Sequence, residues 1–298
     1  MSSLLLIENQ LSLLKKLTIA DSNDVKYSIR QQLSSYRDII LFLIKLLTQG
    51  CPSTRDKSYL MKYIIRRIIA NMSPILYKHG LALVATGQCA AAMVQLGRSI
   101  KNSHLPSRAL KAWLLIDGRE GVAEDRYAAF ELAEEGARLG CHHCQGVMAW
   151  CYMFGYGIRP DTAQSLVLAR ESSGLGSRYG QYVLGWLYKV SVGGVGPDQG
   201  QSRALNRLAA AQGLDGALFI IGYMYYNGQN VAKDYAEALR WWQLAAVQGY
   251  PEVLFRIAVC HESGQGVHKS KAEAIRWYRR AKEAGDHDAA TALRRLCA

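Results

Sequence analysis

One landmark recurs along the second two-thirds of this 298-residue chain: a Gly-containing loop, then Val or Ile, with Asp usually three residues on. The branched residue falls at Val122, Ile158, Val195, Val231 and Val267, in steps of 36, 37, 36 and 36. The partner position runs Asp125, Asp161, Asp198, Asp234 and Ser270 on the same steps. A period of this length is one supersecondary unit that cannot bury its apolar face alone, so successive units must stack.

Each loop is preceded by an apolar helical segment of Leu-Gly-x-x-Tyr character: Met148-Ala149 with Tyr152, Leu184-Gly185 with Tyr188, Ile221-Gly222 with Tyr225, and Ile257-Ala258 with His261. Each loop is followed by a second amphipathic segment that ends in Gly140, Gly176, Gly213, Gly249 or Gly285. A Gly just past a periodic segment stops a helix in the left-handed conformation, and the Asp after each loop is placed to cap the second helix. The small residue of each first helix (Ala149, Gly185, Gly222, Ala258) lets a neighbouring helix approach closely. Six prolines and an apolar half of the composition fit this helical, core-forming reading.

The run Ala217, Ile221-Gly222-Tyr223-Met224-Tyr225-Tyr226, Gly228, Val231, Lys233-Asp234, Ala238, Trp241-Trp242, Ala245-Ala246 and Gly249 resembles the Sel-1-like repeat, a relative of the tetratricopeptide repeat. The resemblance covers roughly 109–298. It implies an all-α, right-handed α-solenoid of stacked antiparallel helix pairs, and a role in holding protein complexes together. In the unit around Val122, Trp113 is expected at the place of the small residue, with Gly118 displaced. The expected organisation is a basic helical N-terminal region over 1–72, a degenerate helix pair over 73–108 turning at Gly87, and an array over 109–298. That array holds five units and a C-terminal capping helix, whose Arg294 and Arg295 would give it a polar outer face.

Charge is distributed unevenly. Residues 1–108 hold 15 Lys/Arg against 5 Asp/Glu, net +10, whereas the repeat-bearing remainder is nearly neutral. Three amphipathic helices are expected upstream, over about 3–18, 24–48 and 55–71, forming the helical N-terminal extension. Their outer faces would carry a basic surface that includes Lys57, Lys62, Arg66 and Arg67. The opening segment has no basic n-region and meets Glu8 early, unlike a secretory signal. No run reaches the roughly 20 apolar residues of a transmembrane helix. Seven cysteines at irregular spacing argue for a reducing compartment, and an intracellular, cytoplasmic protein is expected, with organelle targeting left open.

The most informative candidate site is an aromatic stripe on the first helices. Offsets of four and then three place Trp150 with Gly146 and Met153, Tyr182 with Trp186 and Lys189, Phe219 with Tyr223 and Tyr226, and Phe255 with Val259 and Glu262, each trio on one helix side. In the related tetratricopeptide repeat the equivalent side faces the concave groove where peptides bind. The resemblance therefore implies a partner-binding groove of Trp150, Tyr182, Trp186, Phe219, Tyr223, Tyr226 and Phe255. Aromatics that pack neighbouring units would give the same pattern, and the sequence leaves the two readings open.

Other constellations carry less chemistry. Cys141-His142-His143-Cys144 offers four ligands in four residues, which cannot all face one tetrahedral ion, and no second ligand pair stands at zinc spacing. Cys144 takes a small-residue slot held elsewhere by Gly180, Ala217 and Ala289, while Cys151 and Cys260 fall at apolar core positions. Ser12-Leu13-Leu14-Lys15 matches a Ser-x-x-Lys element without its companion motifs. Some cysteine-rich relatives are linked to β-lactam binding, but their regular cysteine pairs are missing, which leaves an enzyme of that type a remote alternative. The acidic cluster Asp117, Glu120, Glu124, Asp125, Glu131, Glu134 and Glu135 reads as a solvated face or a site for a basic segment.

The reading that results is a non-catalytic adaptor or scaffold that binds a partner peptide or helix, with no cofactor, no metal and no small-molecule substrate. Its alternative is a structural subunit of a ribonucleoprotein or membrane-associated complex, docked to nucleic acid or an anionic membrane through the basic N-terminal third.

Overall fold

The computed structural model describes residues 72–119, 121–229 and 231–297. The three upstream helices expected from the sequence, together with Lys57, Lys62, Arg66, Arg67, Ser12 and Lys15, lie outside the described residues, as does Glu120. The chain divides into two compact units, Met1–Lys78 and His79–Ala298, and the repeats lie in the second.

In that second unit, residues 79–85 are helical and a turn at Gly87, with φ of +77°, leads into α1 (Cys89–Lys101). Eleven helices follow: α2 (Leu105–Asp117), α3 (Arg126–Arg138), α4 (His142–Phe154), α5 (Thr162–Gly174), α6 (Arg178–Val190), α7 (Gln199–Ala211), α8 (Asp215–Asn227), α9 (Tyr235–Val247), α10 (Pro251–Ser263), α11 (Lys271–Glu283) and α12 (His287–Cys297). Among the described residues the only extended pairing is an isolated bridge between Arg119 and Val122. Helices pack as consecutive pairs, α2 with α3 through α10 with α11, and α12 closes the row against α11. This is an all-α solenoid.

The caps fix where each helix begins and ends. Asp125, Asp161, Asp198 and Asp234 each stand at the N-cap of a second helix and accept from the backbone N–H three residues on, at 2.9, 2.9, 2.8 and 2.9 Å. Ser270 does the same for α11 at 3.2 Å. Each such cap stabilises its helix by about 1 kcal/mol. The backbone N–H of the capping residue points back to the first helix. Asp161 donates to the Tyr152 carbonyl at 2.8 Å, Asp234 to Tyr225 at 3.0 Å and Ser270 to His261 at 2.8 Å. The Tyr of the sequence motif therefore marks the carbonyl that anchors the loop.

Second helices end in a Schellman arrangement. At the end of α3, Gly140 N–H donates to Ala137 O at 2.9 Å and Cys141 N–H to Gly136 O at 3.0 Å, and the same pair of bonds recurs at Gly176, Gly213, Gly249 and Gly285. These glycines have φ between +74° and +94°, where a Cβ would crowd the backbone.

The small residues of the first helices set the spacing inside each pair. A Cβ on Gly222 would stand 2.4 Å from Trp242 Cδ1, and one on Gly185 would stand 2.7 Å from Asn206 Nδ2. At Ala149 the carbonyl accepts from Ser165 Oγ at 2.7 Å. Trp242, wholly buried on α9, also donates its indole N–H to Phe219 O at 3.1 Å, so its one polar atom is satisfied. Trp242 is the anchor of its unit, and its burial against Gly222 leaves no room there for a Cβ.

Gly222→Ala should lower stability by about 1–3 kcal/mol, because the added methyl forces Trp242 aside in a packed core. Gly97→Ala, in α1, meets nothing within 4 Å and should raise it by about 0.5–1 kcal/mol through the helix preference alone. Urea denaturation followed by far-UV circular dichroism measures both; equal effects of the two changes would contradict the close approach of α8 and α9.

Candidate functional site

The first helices α2, α4, α6, α8 and α10 are all thirteen residues long, so their positions correspond one to one. The ninth residues are Trp113, Trp150, Trp186, Tyr223 and Val259. The eighth are Ala112, Ala149, Gly185, Gly222 and Ala258. The sequence expectation that Trp113 replaces the small residue is therefore corrected: Ala112 is that residue, wholly buried, and Trp113 heads the aromatic stripe. The displacement comes from one extra residue between Gly118 and Val122, which Arg119 and Val122 accommodate by exchanging backbone hydrogen bonds of 2.9 and 2.7 Å.

That register has a large consequence. Trp113 packs against Trp150, Tyr179 and Tyr182 with ring centroids 5.7, 5.1 and 5.8 Å apart, and its indole N–H donates to Asp215 Oδ1 at 3.1 Å. Asp215 belongs to α8, three units further on. From the loop after α2, Arg119 reaches the same carboxylate, with Nη2 2.7 Å from Oδ2. Asp215 is 3% exposed and Arg119 6%. The Gly216 N–H, at the start of α8, supplies a third donor at 2.8 Å, so the buried carboxylate is well satisfied. The Arg119 guanidinium also lies 5.5 Å from the Tyr250 ring centroid. The chain's own Trp113 and Arg119 thus bridge the first unit to α8.

The electrostatics follow from that burial. Burial pushes the Tyr182 and Tyr250 hydroxyls above the ordinary tyrosine range, with nearby carboxylates adding to it. Burial also raises the carboxyl of Asp117, against the pull of Arg119. The Arg119 guanidinium therefore faces two carboxylates: Asp215 at 2.7 Å and Asp117 at 3.9 Å.

The aromatic residues expected in a groove are placed as follows. Tyr182 is 3% exposed and Trp150 9%; they pack on each other at 5.0 Å, beneath Trp113. Trp186 is half-buried and meets Trp150 at 6.1 Å and Phe154 at 6.4 Å. Phe219 is half-buried against Trp242 and Tyr250, at 6.4 and 5.7 Å. Tyr223 and Tyr226 are half-buried, and Tyr226 donates to Gln265 Oε1 at 2.8 Å. Phe255 is half-buried on Tyr278, at 5.3 Å. Phe154, 40% exposed, joins the stripe beside Trp186, a neighbour that the offset pattern did not mark.

The Cys141–Cys144 segment is the N-terminal turn of α4. Cys141 is its N-cap residue, and its thiol is held low by the Cys144 side chain, with first-turn N–H groups and Arg108 assisting against burial. Cys144 is held high by Cys141 and by burial, and its thiol points to Leu105 O at 3.7 Å. His143 bonds Ser177 Oγ at 3.1 Å, and burial pushes it down to about 4. Burial pushes Cys151 up to about 12 and Cys260 up to about 11, as befits small core side chains. Among the described residues no three His, Cys, Asp or Glu side chains converge where a metal could sit. The acidic residues near the first loop are divided: Asp125 caps α3, Glu124 pairs with Arg126 at 3.0 Å and Glu135 with Arg108.

The family model described as the Sel1 repeat matches residues 112–141, 143–177, 178–214, 216–250 and 251–286, more than half of the chain. The chain belongs to the Sel1 repeat family. A Sel1 repeat protein from Oxalobacter formigenes is similar in structure, with a TM-score of 0.48 and 22% identity over 73% of this chain and 86% of that one. So is c5321, a protective antigen of uropathogenic Escherichia coli strains displaying an SLR fold, with a TM-score of 0.48 and 23% identity. That match covers 96% of this chain and 63% of the antigen. No curated protein matches the chain. Sel1 repeat proteins generally act as protein–protein interaction scaffolds. Among the described residues no helix is long and apolar enough to cross a membrane.

Two outcomes test the tie across this Sel1 array. Asp215→Ala leaves the buried Arg119 only Asp117, 3.9 Å away, and should cost about 3–5 kcal/mol in urea denaturation, whereas a rim ion pair would cost under about 1. Asp117 tests the half-buried carboxyl beside that pair. Its raised folded pKa means that its contribution is intact below its unfolded pKa and is lost as pH rises through the folded value. Asp117→Asn should therefore raise the denaturation midpoint at pH 7 and leave it nearly unchanged near pH 3.

Proposed function

We propose that this chain is a non-catalytic protein–protein adaptor that takes a partner's peptide or helix on the inner aromatic stripe of its Sel1 array. The observation that carries this reading is the change along the stripe. Trp113, Trp150 and Tyr182 are packed away, while Phe154, Trp186, Tyr223 and Tyr226 continue the same line with part of each ring open to water. Half-exposed aromatics on rigid helices bury a large contact area at a low entropy cost, which suits them to binding. Stacked units hold them in fixed positions, as a preorganised interface requires.

A second docking charge lies in the basic N-terminal third, net +10 over residues 1–108, with Lys57, Lys62, Arg66 and Arg67 as its candidate contacts to nucleic acid or an anionic membrane. One experiment separates the two. The full chain, tagged and recovered from native cells, should lose its protein partners on combined Trp186→Ala and Tyr223→Ala, with the helical signal and melting transition retained. Binding through the stripe should fall only shallowly as salt is raised. Retention of every partner by the double variant, with binding lost steeply in salt, would favour docking through the N-terminal charge instead.

A further inference from the structure

The open part of the stripe holds two cations against its rings. Lys189, the twelfth residue of α6, places its ammonium 5.1 Å from the Trp186 ring centroid and 5.6 Å from that of Tyr223. Arg256, on α10, approaches the same Tyr223 ring at 5.9 Å. Two positive side chains from helices two units apart thus converge on one tyrosine. Like charges brought together in this way repel, and the ring faces offset only part of that cost. Among the described residues neither cation has a carboxylate within ion-pair distance. Lys189 is half-buried, and its burial alone lowers its pKa, with no acid holding it up.

Two carboxylates near the stripe are already engaged. Glu262, which stands at the twelfth position of α10 as Lys189 does on α6, accepts from Tyr278 at 2.8 Å and pairs with Arg295. Asp215 is held by Arg119 and Trp113. Lys189 and Arg256 are left on Tyr223 outside these pairs, with Phe154 beside Trp186 as an apolar shoulder.

We infer that the stripe recognises an acidic protein segment, in which an Asp or Glu carboxylate seats at the edge of Tyr223 against Lys189 and Arg256 and an adjoining apolar residue packs on Trp186 and Phe154. This inference rests on the adaptor reading and gives its partner a chemistry. A carboxylate in that position would gain two charge-assisted contacts and relieve the repulsion between the cations. Single-stranded nucleic acid also pairs cations with aromatics, but it needs open ring faces for its bases to stack on. Here Trp186 carries Lys189 and abuts Trp150 and Phe154, and Tyr223 carries both cations, so the faces are occupied.

The test is a random-peptide phage library panned against the full chain, with the selected peptides synthesised and titrated by fluorescence polarisation. Peptides that depend on the stripe, meaning that Trp186→Ala with Tyr223→Ala abolishes their binding, should carry Asp or Glu beside an aromatic or aliphatic residue. Combined Lys189→Glu and Arg256→Glu should weaken them at least about tenfold, as should replacement of the peptide's acid by its amide. Lys189→Met, which keeps the stem packed on Trp186, should weaken them less, and melting curves confirm that each variant is folded. Stripe-dependent peptides without an acid, or indifferent to charge reversal, would overturn the inference and leave the adaptor reading standing. Selected peptides that ignore the Trp186 and Tyr223 changes would overturn both. Tight binding of labelled oligouridine, lost on charge reversal, would overturn the inference in favour of nucleic acid.

Discussion

Helix length is the constraint on which this array depends. α1 to α11 each run thirteen residues, about three and a half turns, although their sequences share few residues outright. The length is enforced at the ends. A side-chain oxygen starts each second helix, a Schellman glycine stops it, and a left-handed residue stops four of the five first helices: Gly155, Ser191, Gly228 and Gly264. Ser191 shows that the conformation matters more than the glycine, since a serine holds φ of +58° in the same place. With lengths fixed, a residue's position in its helix determines its neighbours, and each unit repeats the turn of the one before it.

The repeated turn brings the loop after α2 onto α8 and the start of α10. There a buried Arg119–Asp215 pair does a job that apolar residues of equal volume could do at no loss of stability. What the pair adds is register. Trp113, Arg119 and the Gly216 N–H all aim at one carboxylate, and no neighbouring side chain of α8 offers it to all three. A row of apolar rings could slide by one turn, whereas this arrangement has a single satisfied position.

Much of the architecture was legible in the sequence because it is local. The Gly and Asp landmarks act within one unit, so the spacing of Val122, Ile158, Val195, Val231 and Val267 sufficed to phase the helices. Cys144 and Cys151 fall where the register predicts small, buried side chains. The misplacement of Trp113 had an equally local source. Counting back from Val122 carries the extra loop residue into α2, and only Gly118, five residues after Trp113 as Gly155 is after Trp150, preserves the count. The contact between Trp113 and Asp215 had no such signal. It joins residues a hundred positions apart through the summed rotation of three units, a quantity that no single unit encodes. Asp215 itself, an acid opening an otherwise apolar helix, is a local sign that something buried must answer it, but it names no partner.

An open repeat protein is close to one-dimensional: each unit feels its neighbours, and an end can fray while the middle stays folded. The bond from α2 to α8 removes that freedom here. Units one and four cannot separate without stranding a buried charge, so the units between them are enclosed in a loop of contacts and must open together. The hundred-residue reach of that contact also raises the loop-closure entropy paid before it forms, which slows folding relative to an open array of the same helices. The four units so enclosed thereby share one cooperative opening, which a solenoid without that contact lacks.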